Sequence, residues 1–497
     1  MSEPVIIVGA GFAGVESAWA LAQRGVRVRL YEMRPQTTTP AHTTGWFAEL
    51  VCSNSFKSKN PDSPAGQLKA EMEGLGSLIL EVARRHEVPG GQALAVDRDK
   101  FGEEITRRIE EHPLIEVVRE EWSPLECGDL SPLSDSGASS AKQSGSKLPH
   151  SKALVIATGP LSSDPVSRWL AELTGREHLY FYDAVSPTVE ASSIDLSVAF
   201  AQSRYDKGGN DYLNCPFDKE QYLAFVAALV GAERAPLHSF EAGGKRDAPS
   251  PPPNPLPATQ GIRGEGESDL LEKIKYFAGC TPIEAIAEGG EMSLAFGNFK
   301  PVGLRDPRTG KRPFAVLQLR PENAEKTLFS LVACQNRLKW GEQKRLFQMV
   351  PGLENAEFVR YGVIHRNTYI DAPRVLTEHL ELRDHPGIYV AGQLTGVEGY
   401  VESAAMGILA GVQIASRLRG LELVAPPRYT AYGSLLAHLQ DSTSREFAPM
   451  NINWGLFPDP DEPVRDKGQK RELKIGAARA AFADWQSMLS QASCPHV

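Results

Sequence analysis

The sequence is poor in cysteine, in basic charge and in long apolar runs. Its six cysteines, among 497 residues, stand at positions 52, 127, 215, 280, 334 and 494 and form no Cys-x-x-Cys pair. This spacing argues against a zinc site and against a disulfide framework, and it is typical of a reducing compartment, so we expect a cytoplasmic protein without a metal. A net charge of −9 excludes a surface that is basic throughout, although a local basic patch remains possible.

Membrane and targeting segments are also missing. No apolar run reaches the roughly 18–20 residues that a membrane-spanning helix needs, so we expect no membrane contact. The opening residues MSEPVIIVGAGFAG lead directly into an apolar strand, without the charged segment and cleavage site of a signal peptide. Apolar residues make up 41% and charged residues 23%, an ordinary globular balance, and the length allows two to four domains.

Two segments differ from the rest of the chain in composition. Residues 128–151 are rich in serine and glycine, and residues 240–268 are rich in proline and glycine. Neither segment can bury enough apolar surface to offset the entropy lost on ordering. We therefore expect two mobile surface loops.

Strand and helix patterns alternate at both ends of the chain. The runs VIIVGA, RVRLYE, LIEVVREE and KALVIATGP predict strands, and AGVESAWALAQRG and YLAFVAALVG predict helices, the second with a capping box of Asp218 and Gln221. A late strand in GIYVAGQLTG precedes a helix in YVESAAMGILAGVQIASRL. The pattern predicts a doubly wound α/β domain interrupted by an inserted α/β domain, divided as 1–178, 179–350 and 351–497, the last with a C-terminal helical tail.

A dinucleotide-binding motif occupies the first strand–helix–strand unit. Gly9, Gly11 and Gly14 have G-x-G-x-x-G spacing, and Glu32 ends the second strand. The glycines permit a tight turn and a close approach of a pyrophosphate, while the acidic residue can bind a ribose hydroxyl. We predict that an adenine dinucleotide binds here, the alternative being a fold that keeps an empty site. The predicted contacts also include the intervening Ala10, Phe12 and Ala13.

The motif alone does not distinguish FAD from NAD. A second helix start, in AGQLTGVEGYVESAAMG, brings Gly392 and Gln393 to a position that can support a flavin. Together with ALVIATGP in mid-chain, it resembles flavoproteins of the glutathione-reductase type, which implies FAD as the bound cofactor. Tyr400 in the same loop is predicted to stack on the flavin ring, or else is a core aromatic residue beside a helix start.

A cysteine directly precedes a predicted helix in YFAGCTPIEAIAEGG. Thr281, Pro282 and Glu284 fit the N-cap, first residue and N3 partner of a capping box. Cys280 would then lie at the positive end of the helix dipole, where the pKa of a thiol falls. The alternative is a small buried hydrophobic residue.

Several long blocks resemble one family. PAHTTGWFAELVCSNSFKS, FAGCTPIEAIAEGG, LKWGEQKR, AGQLTGVEGYVESAAMG and MNINWGLFP match, in order, the folate-dependent tRNA (uracil-5-)-methyltransferase family. The resemblance implies that methylenetetrahydrofolate supplies one carbon, FAD carries it and supplies electrons, and NADH or NADPH reduces the flavin. The product would be ribothymidine at position 54 of tRNA. A flavoprotein acting on wobble uridines and a flavin-binding RNA scaffold without turnover stay as alternatives.

The resemblance also implies two catalytic cysteines, Cys52 and Cys280. C5 of uracil is a poor nucleophile until a thiolate adds at C6, so Cys280 is the predicted nucleophile. Cys52 is predicted to act as acid or base for the C5 proton, or to hold a flavin adduct, with Glu49 and Ser53 as weaker candidates. Cys215 is predicted to be structural. Two positions depart from the family pattern, with Gly289 replacing an expected arginine and Cys334 replacing an apolar residue or glycine.

Basic and aromatic residues alternate in two late segments, NRLKWGEQKR and VRYGVIHRNTY. This mixture suits phosphate contact and base stacking, so we predict a tRNA surface there. The alternative is a solvated charged face around a core tryptophan. A homodimer is possible. The predicted tRNA contacts are Arg337, Lys339, Lys344, Arg345 and Arg366.

Overall fold

The computed structural model describes residues 3–39, 41–124, 153–176, 179–184, 186–206, 211–235, 281–362, 364–443 and 447–492. The two segments predicted as surface loops, 128–151 and 240–268, lie outside the described residues. Cys127, Cys280 and Cys494 lie outside them as well.

The elements are numbered in chain order. The strands are β1 (Val5–Val8), β2 (Val28–Tyr31), β3 (Ser55–Ser58), β4 (Glu87–Val88), β5 (Ala93–Val96), β6 (Ile115–Val118), β7 (Leu154–Ile156), β8 (Leu179–Ala184), β9 (Thr188–Glu190), β10 (Phe200–Ala201), β11 (Leu213–Phe217), β12 (Ala315–Pro321), β13 (Leu328–Leu331), β14 (Phe358–Arg360), β15 (Ile364–Tyr369) and β16 (Ile388–Val390). The helices are α1 (Phe12–Ala22), α2 (Pro64–Gly74), α3 (Leu78–Arg85), α4 (Arg98–Glu110), α5 (Asp164–Thr174), α6 (Lys219–Val230), α7 (Ile283–Glu288), α8 (Ser293–Phe296), α9 (Trp340–Phe347), α10 (Ala372–Val375), α11 (Tyr400–Leu418), α12 (Ala431–Leu439) and α13 (Lys467–Ala492).

A five-stranded sheet in the order β16-β7-β1-β2-β6 forms the centre of the first unit. Every pairing in it is parallel. Parallel strands are covered on both faces, so their sequences are continuous apolar runs. For this reason VIIV and LVI could be recognised as strands from the sequence. The predicted strands and the doubly wound α/β class are confirmed.

Helices α1 and α11 pack unusually closely against each other. A Cβ on Gly407 would lie 2.2 Å from the Ala13 carbonyl oxygen, and a Cβ on Gly411 would lie 2.8 Å from Ala20 Cβ. The Ser17 hydroxyl donates to the Gly407 carbonyl at 2.9 Å. The small residues of α11 thus let two helix backbones approach, and this places the N-terminal ends of both helices beside one cleft.

The second unit is built on a six-stranded antiparallel sheet in the order β10-β11-β12-β13-β9-β14. Helix α6 packs on it and begins with the predicted capping box of Asp218 and Gln221. Strand β14, at residues 358–360, pairs with β9 at one edge of this sheet. Strands β8 and β15 form a separate two-stranded antiparallel ribbon.

Two separate hydrophobic clusters lie in the described residues. The first draws its members from residues 5–170 and 369–485, and the second from residues 189–356. This separation supports the division into an interrupted nucleotide-binding unit and an inserted unit, a division that we keep as a proposal. No helix in the described ranges is both long enough and apolar enough to cross a membrane.

The capping box predicted at Thr281 is wrong. Helix α7 begins at Ile283 with Pro282 at its N-cap, and no side chain caps it. Glu284 is buried and accepts the backbone N–H of Arg337 at 2.7 Å. A contact with a distant loop therefore replaces the local cap, and Cys280 lies three positions before the first helical residue rather than directly before an N-cap.

Candidate functional site

An open cleft lies at the carboxyl ends of the parallel strands, and its empty space, counted with the solvent at its open mouth, is about 1190 Å³. This edge of a doubly wound sheet is where such folds bind ligands. Eight of the ten residues predicted to bind the cofactor line the cleft, whereas Ala10 and Gly14 are buried and do not line it. The eight are Gly9, Gly11, Phe12, Ala13, Glu32, Gly392, Gln393 and Tyr400.

The three motif glycines have two different geometric roles. A Cβ on Gly14 would lie 1.8 Å from the Gly9 carbonyl oxygen, and Gly9 itself has φ of +97° and packs against Ala157. These two positions need glycine because backbone approaches backbone. A Cβ on Gly11 would meet nothing within 4 Å, so the open space beside it is available to a ligand.

Helices α1 and α11 both direct their N-terminal ends toward the cleft. Their N-cap residues, Gly11 and Gly399, have no side chain that could satisfy the first backbone N–H groups. Free N–H groups together with the helix dipole favour an anionic ligand group, such as a pyrophosphate. The cradle beside Gly11 and these two helix ends fit a dinucleotide.

Glu32 lies at one end of the cleft and is already saturated with hydrogen bonds. It accepts the backbone N–H groups of Ala10 at 2.9 Å and Arg34 at 3.0 Å, and the Arg34 guanidinium at 2.8 and 3.1 Å. Burial acts to raise the pKa of Glu32, but Arg34 holds it below its ordinary value. Because a carboxylate offers about four acceptor positions, the predicted ribose contact requires Arg34 to release or share one of them.

Arg34 also connects Glu32 to a second acid that the sequence had marked only weakly. Its guanidinium donates to Glu49 at 3.0 Å, and Glu49 accepts the Thr43 N–H at 2.8 Å. Burial and then the charge of Arg34 lower the pKa of His42 to about 4, so a neutral imidazole lines this part of the cleft. Arg34 stands just after the second strand, and the periodicity of the sequence gave no reason to select it.

Cys52 lies at the other end of the cleft, in contact with Tyr400. Its Sγ is 2.9 Å from the Tyr400 hydroxyl, and its backbone N–H donates to the same oxygen at 2.7 Å. The Tyr400 ring stacks on Phe12, with centroids 4.6 Å apart. Burial and then the charge of Cys52 raise the pKa of the Tyr400 phenol well above its ordinary value, so it remains a hydrogen-bond donor.

A partly buried ion pair supports the start of α11 next to Tyr400. Lys57 pairs with Glu402, which is fully buried and also accepts the Ile452 N–H at 2.9 Å. Lys57 has φ of +62°, a left-handed conformation that costs on the order of 1 kcal/mol or more in a residue other than glycine. Neither the pair nor the strained backbone was apparent from the sequence.

The remaining cysteines in the described ranges have no access to the cleft. Cys215 on β11 and Cys334 are fully buried, and burial raises the pKa of each thiol far above its ordinary value. The structural role predicted for Cys215 agrees with this placement. Gly289, where an arginine was expected, is the exposed C-cap of α7.

The predicted tRNA surface divides into exposed and buried parts. Trp340 is 58% exposed, which rules out the core tryptophan considered as the alternative. Its ring stacks on Tyr361 with centroids 5.6 Å apart, and Tyr361 stacks on Phe358 at 5.3 Å. Around this stack Lys339, Lys344 and Arg345 are exposed, whereas Arg337 is only 6% exposed. The side chain of Arg366 lies outside the description.

Comparison with known proteins gives consistent matches over the whole chain. A family model described as glucose inhibited division protein A matches residues 4–245 and 263–422. The chain is 47% identical over 480 residues to the methylenetetrahydrofolate–tRNA-(uracil-5-)-methyltransferase TrmFO of Moorella thermoacetica, covering 97% of each chain. It is 45% identical over 476 residues to the protein of the same name from Desulforamulus reducens, covering 96% of this chain and 95% of that one.

A solved structure gives the same fold at lower sequence similarity. The chain matches the structure of Aquifex aeolicus GidA with a TM-score of 0.61 and 14% identity, covering 99% of this chain and 74% of that one. At that identity the match establishes the architecture alone.

Proposed function

The chain belongs to the family of glucose inhibited division protein A and, within it, to the methylenetetrahydrofolate–tRNA-(uracil-5-)-methyltransferases, and on this premise we propose that it methylates C5 of a uridine in tRNA. The observation that carries the proposal is the similarity to enzymes of that name, at 45% and 47% identity over at least 95% of both chains. The target is uridine 54, in the T-loop, and the product is ribothymidine. Either NADH or NADPH supplies the reducing equivalents.

FAD is the cofactor that we place in the cleft. Gly11 and the start of α1 would hold the pyrophosphate, Glu32 with Arg34 would contact the adenosine ribose, and Gly392 and the start of α11 would face the flavin. When bound, the flavin supplies the one-carbon relay and the electrons that convert the carbon of the folate into a methyl group. The chain itself contributes the binding surface, the thiols and the groups around them.

Cys280 is the proposed nucleophile toward the uracil ring. Addition of a thiolate at C6 would give an enolate whose C5 can attack an electrophilic carbon. Loss of the C5 proton and departure of the thiolate then restore the ring. Cys280 lies outside the described residues, so its role depends on family membership and on this chemistry.

Cys52 is the proposed acid–base group for the C5 proton. Its position in the cleft wall supports this role. The hydroxyl of Tyr400, 2.9 Å from the sulfur, can donate to the thiolate and so stabilise the form that accepts a proton. Tyr400 thus orients the sulfur and balances its charge, while its ring forms part of the cleft wall.

The stack of Trp340, Tyr361 and Phe358 is the proposed contact for a tRNA base or loop. Exposed aromatic faces with Lys339, Lys344 and Arg345 nearby suit base stacking and phosphate contact. The burial of Arg337 fits support of Glu284 better than contact with a phosphate. A cytoplasmic location and a homodimer stay as predictions.

The test is nucleoside analysis of an unmodified tRNA transcript. Purified protein with FAD is incubated with the transcript, methylenetetrahydrofolate and NADH, and the nucleosides are separated and identified by mass. We expect one 5-methyluridine per tRNA at position 54, and none when the folate is omitted. A modified wobble uridine would indicate the alternative enzyme, and tRNA binding without any modified nucleoside would indicate a scaffold.

A further inference from the structure

The Cys52 loop (residues 50–54) is held by arginines from both sides. Arg98, at the start of α4, donates to the Val51 carbonyl at 3.3 Å and also to the Leu50 carbonyl. Arg360, on strand β14 of the inserted sheet, donates to the Val51 carbonyl at 3.3 Å. Two guanidinium groups from different units therefore meet at the peptide that precedes Cys52.

The other end of the loop is attached to the same inserted sheet. Arg320 on β12 donates to the Ser53 hydroxyl at 3.0 Å. The side-chain amide of Asn54 donates to the carbonyls of Pro321 at 3.1 Å and Val96 at 3.0 Å. The loop thus has contacts on each side of the cysteine, and three of them, from Arg360, Arg320 and Pro321, come from the inserted unit.

Glu322 joins these arginines into one cluster. It is 5% exposed and forms an ion pair with Arg98. Burial acts to raise its pKa, but Arg98, Arg360 and Arg320 together hold the pKa of Glu322 below its ordinary value. Burial and then the repulsion of Arg98 lower the pKa of Arg360 to about 10.

The cluster has an excess of positive charge beside the thiol. Three guanidinium groups face one carboxylate, and the charge of a Cys52 thiolate interacts favourably with both Arg98 and Arg360. A cation near a cysteine favours its ionised form. The groups packed around the loop are Tyr400 from α11, Arg98 from α4, Arg320 and Glu322 at the end of β12, and Arg360 from β14.

We propose that Arg98, Arg320 and Arg360 are positioning residues for Cys52, which hold its loop against the inserted sheet and favour its thiolate. The role of Cys52 in methylation rests on the proposed function, but the positioning does not depend on it. Arg98 and Arg360 supply both the charge and the contact to Val51, and Arg320 supplies the contact to Ser53. The inserted unit thereby influences the reactivity of Cys52 through its contacts with the Cys52 loop rather than by lining the cleft.

The experiment measures the reactivity of Cys52 in the full-length, FAD-bound protein without tRNA or folate. Iodoacetamide labelling is followed by mass spectrometry of the peptide that contains Cys52, across a range of pH. The variants are Arg98→Met, Arg360→Met and the conservative Arg98→Lys. The matched control is Arg107→Met, which lies on the same helix and removes only an exposed ion pair with Glu111.

We expect Arg98→Met and Arg360→Met to slow labelling of Cys52 by about tenfold at pH 7 and to move its half-maximal rate to higher pH. Arg98→Lys should recover most of the rate, and Arg107→Met should match the wild type. If Arg98→Met fails to fold, Arg360→Met decides the outcome. Unchanged pH profiles in the arginine variants that retain FAD would overturn the proposal, whether or not the protein methylates tRNA.

Discussion

Two regions of the molecule each bury a glutamate, and the pKa values of the two carboxyl groups shift in opposite directions. Glu16, buried on the helix α1 that starts at the nucleotide cleft, accepts the Ser77 hydroxyl and backbone N–H groups at the start of α3, and burial raises its pKa to about 7. Glu322, in the cluster beside Cys52, faces three arginines and has a lowered pKa. Burial is nearly complete in both, so the partners and not the burial decide the charge.

The difference extends to the two regions as a whole. Around the glycine motif the cleft wall is assembled from backbone groups and small residues, in which glycines permit contacts closer than any side chain allows. The Cys52 loop is held by charged side chains from both units, Arg98 on α4 and Arg360 on β14. Substitutions in the first region should therefore change cofactor binding and stability, and substitutions in the second should change chemistry while the cofactor stays bound.

The largest expected effect separates chemistry from cofactor binding. Cys280→Ala and Cys52→Ala should each lower methyl transfer by about 10³-fold or more, because each removes a group that we propose to contact the reacting atoms, while FAD absorbance remains. The buried Cys215 provides the matched control, and Cys215→Ala should keep most of the activity. Full activity in Cys280→Ala would remove that residue from the nucleophile role.

A pair of glycine substitutions tests the cleft wall. Gly14→Ala should destabilise the fold by about 3 kcal/mol or more, because its Cβ would lie 1.8 Å from the Gly9 carbonyl oxygen. Gly11→Ala should leave the melting temperature of the FAD-free protein almost unchanged, since its Cβ meets nothing, yet weaken FAD binding by crowding the pyrophosphate. Melting curves and FAD titrations check both, and equal effects at the two positions would contradict the assignment.

The pH dependence of stability tests the contrast between the two glutamates. Glu16 has a folded pKa of about 7, against an ordinary value of 4.5 for a glutamate. Its contribution to stability is therefore fully present below about pH 4.5 and is lost as the pH rises through 7, a change of roughly 3 kcal/mol. Glu16→Gln should flatten the fall in melting temperature between pH 5 and pH 8, and an unchanged slope would refute this account of Glu16.

The smallest effect is expected on the exposed surface. Trp340→Ala should weaken tRNA binding by about 1–3 kcal/mol if a base stacks there, without altering FAD binding. Lys344→Ala should weaken binding less and reduce its salt dependence by about one counterion. Filter binding at several salt concentrations measures both, and unaltered affinity in both variants would place the tRNA elsewhere.

Features carried by short, local patterns were predictable from the sequence. The parallel strands, helices α1 and α11, and the capping box of Asp218 are determined by apolar runs and by spacings of a few residues, so they could be read directly. The glycine motif likewise predicted the position of the cleft, because its strand, turn and helix follow one another along the chain.

Side-chain contacts between residues far apart in the sequence were not predictable. The cap expected at Thr281 failed because Glu284 bonds the backbone of Arg337, 53 positions away. The contact between Arg98 and Glu322 spans 224 positions, and no period or motif connects the two. The role of Arg34 was missed because the neighbouring Glu32 was expected to bind a ribose hydroxyl of the ligand. In the structure Glu32 accepts hydrogen bonds from Arg34.

Covalent cross-linking tests most directly whether Cys52 and Cys280 act at one site. The FAD-bound protein is treated with a short bifunctional thiol reagent such as dibromobimane, and linked peptides are identified by mass spectrometry. The account predicts a link between Cys52 and Cys280, abolished in Cys280→Ser and retained in Cys494→Ser. Efficient labelling of both thiols without any link between them, with and without tRNA, would contradict the convergence on which the proposed chemistry depends.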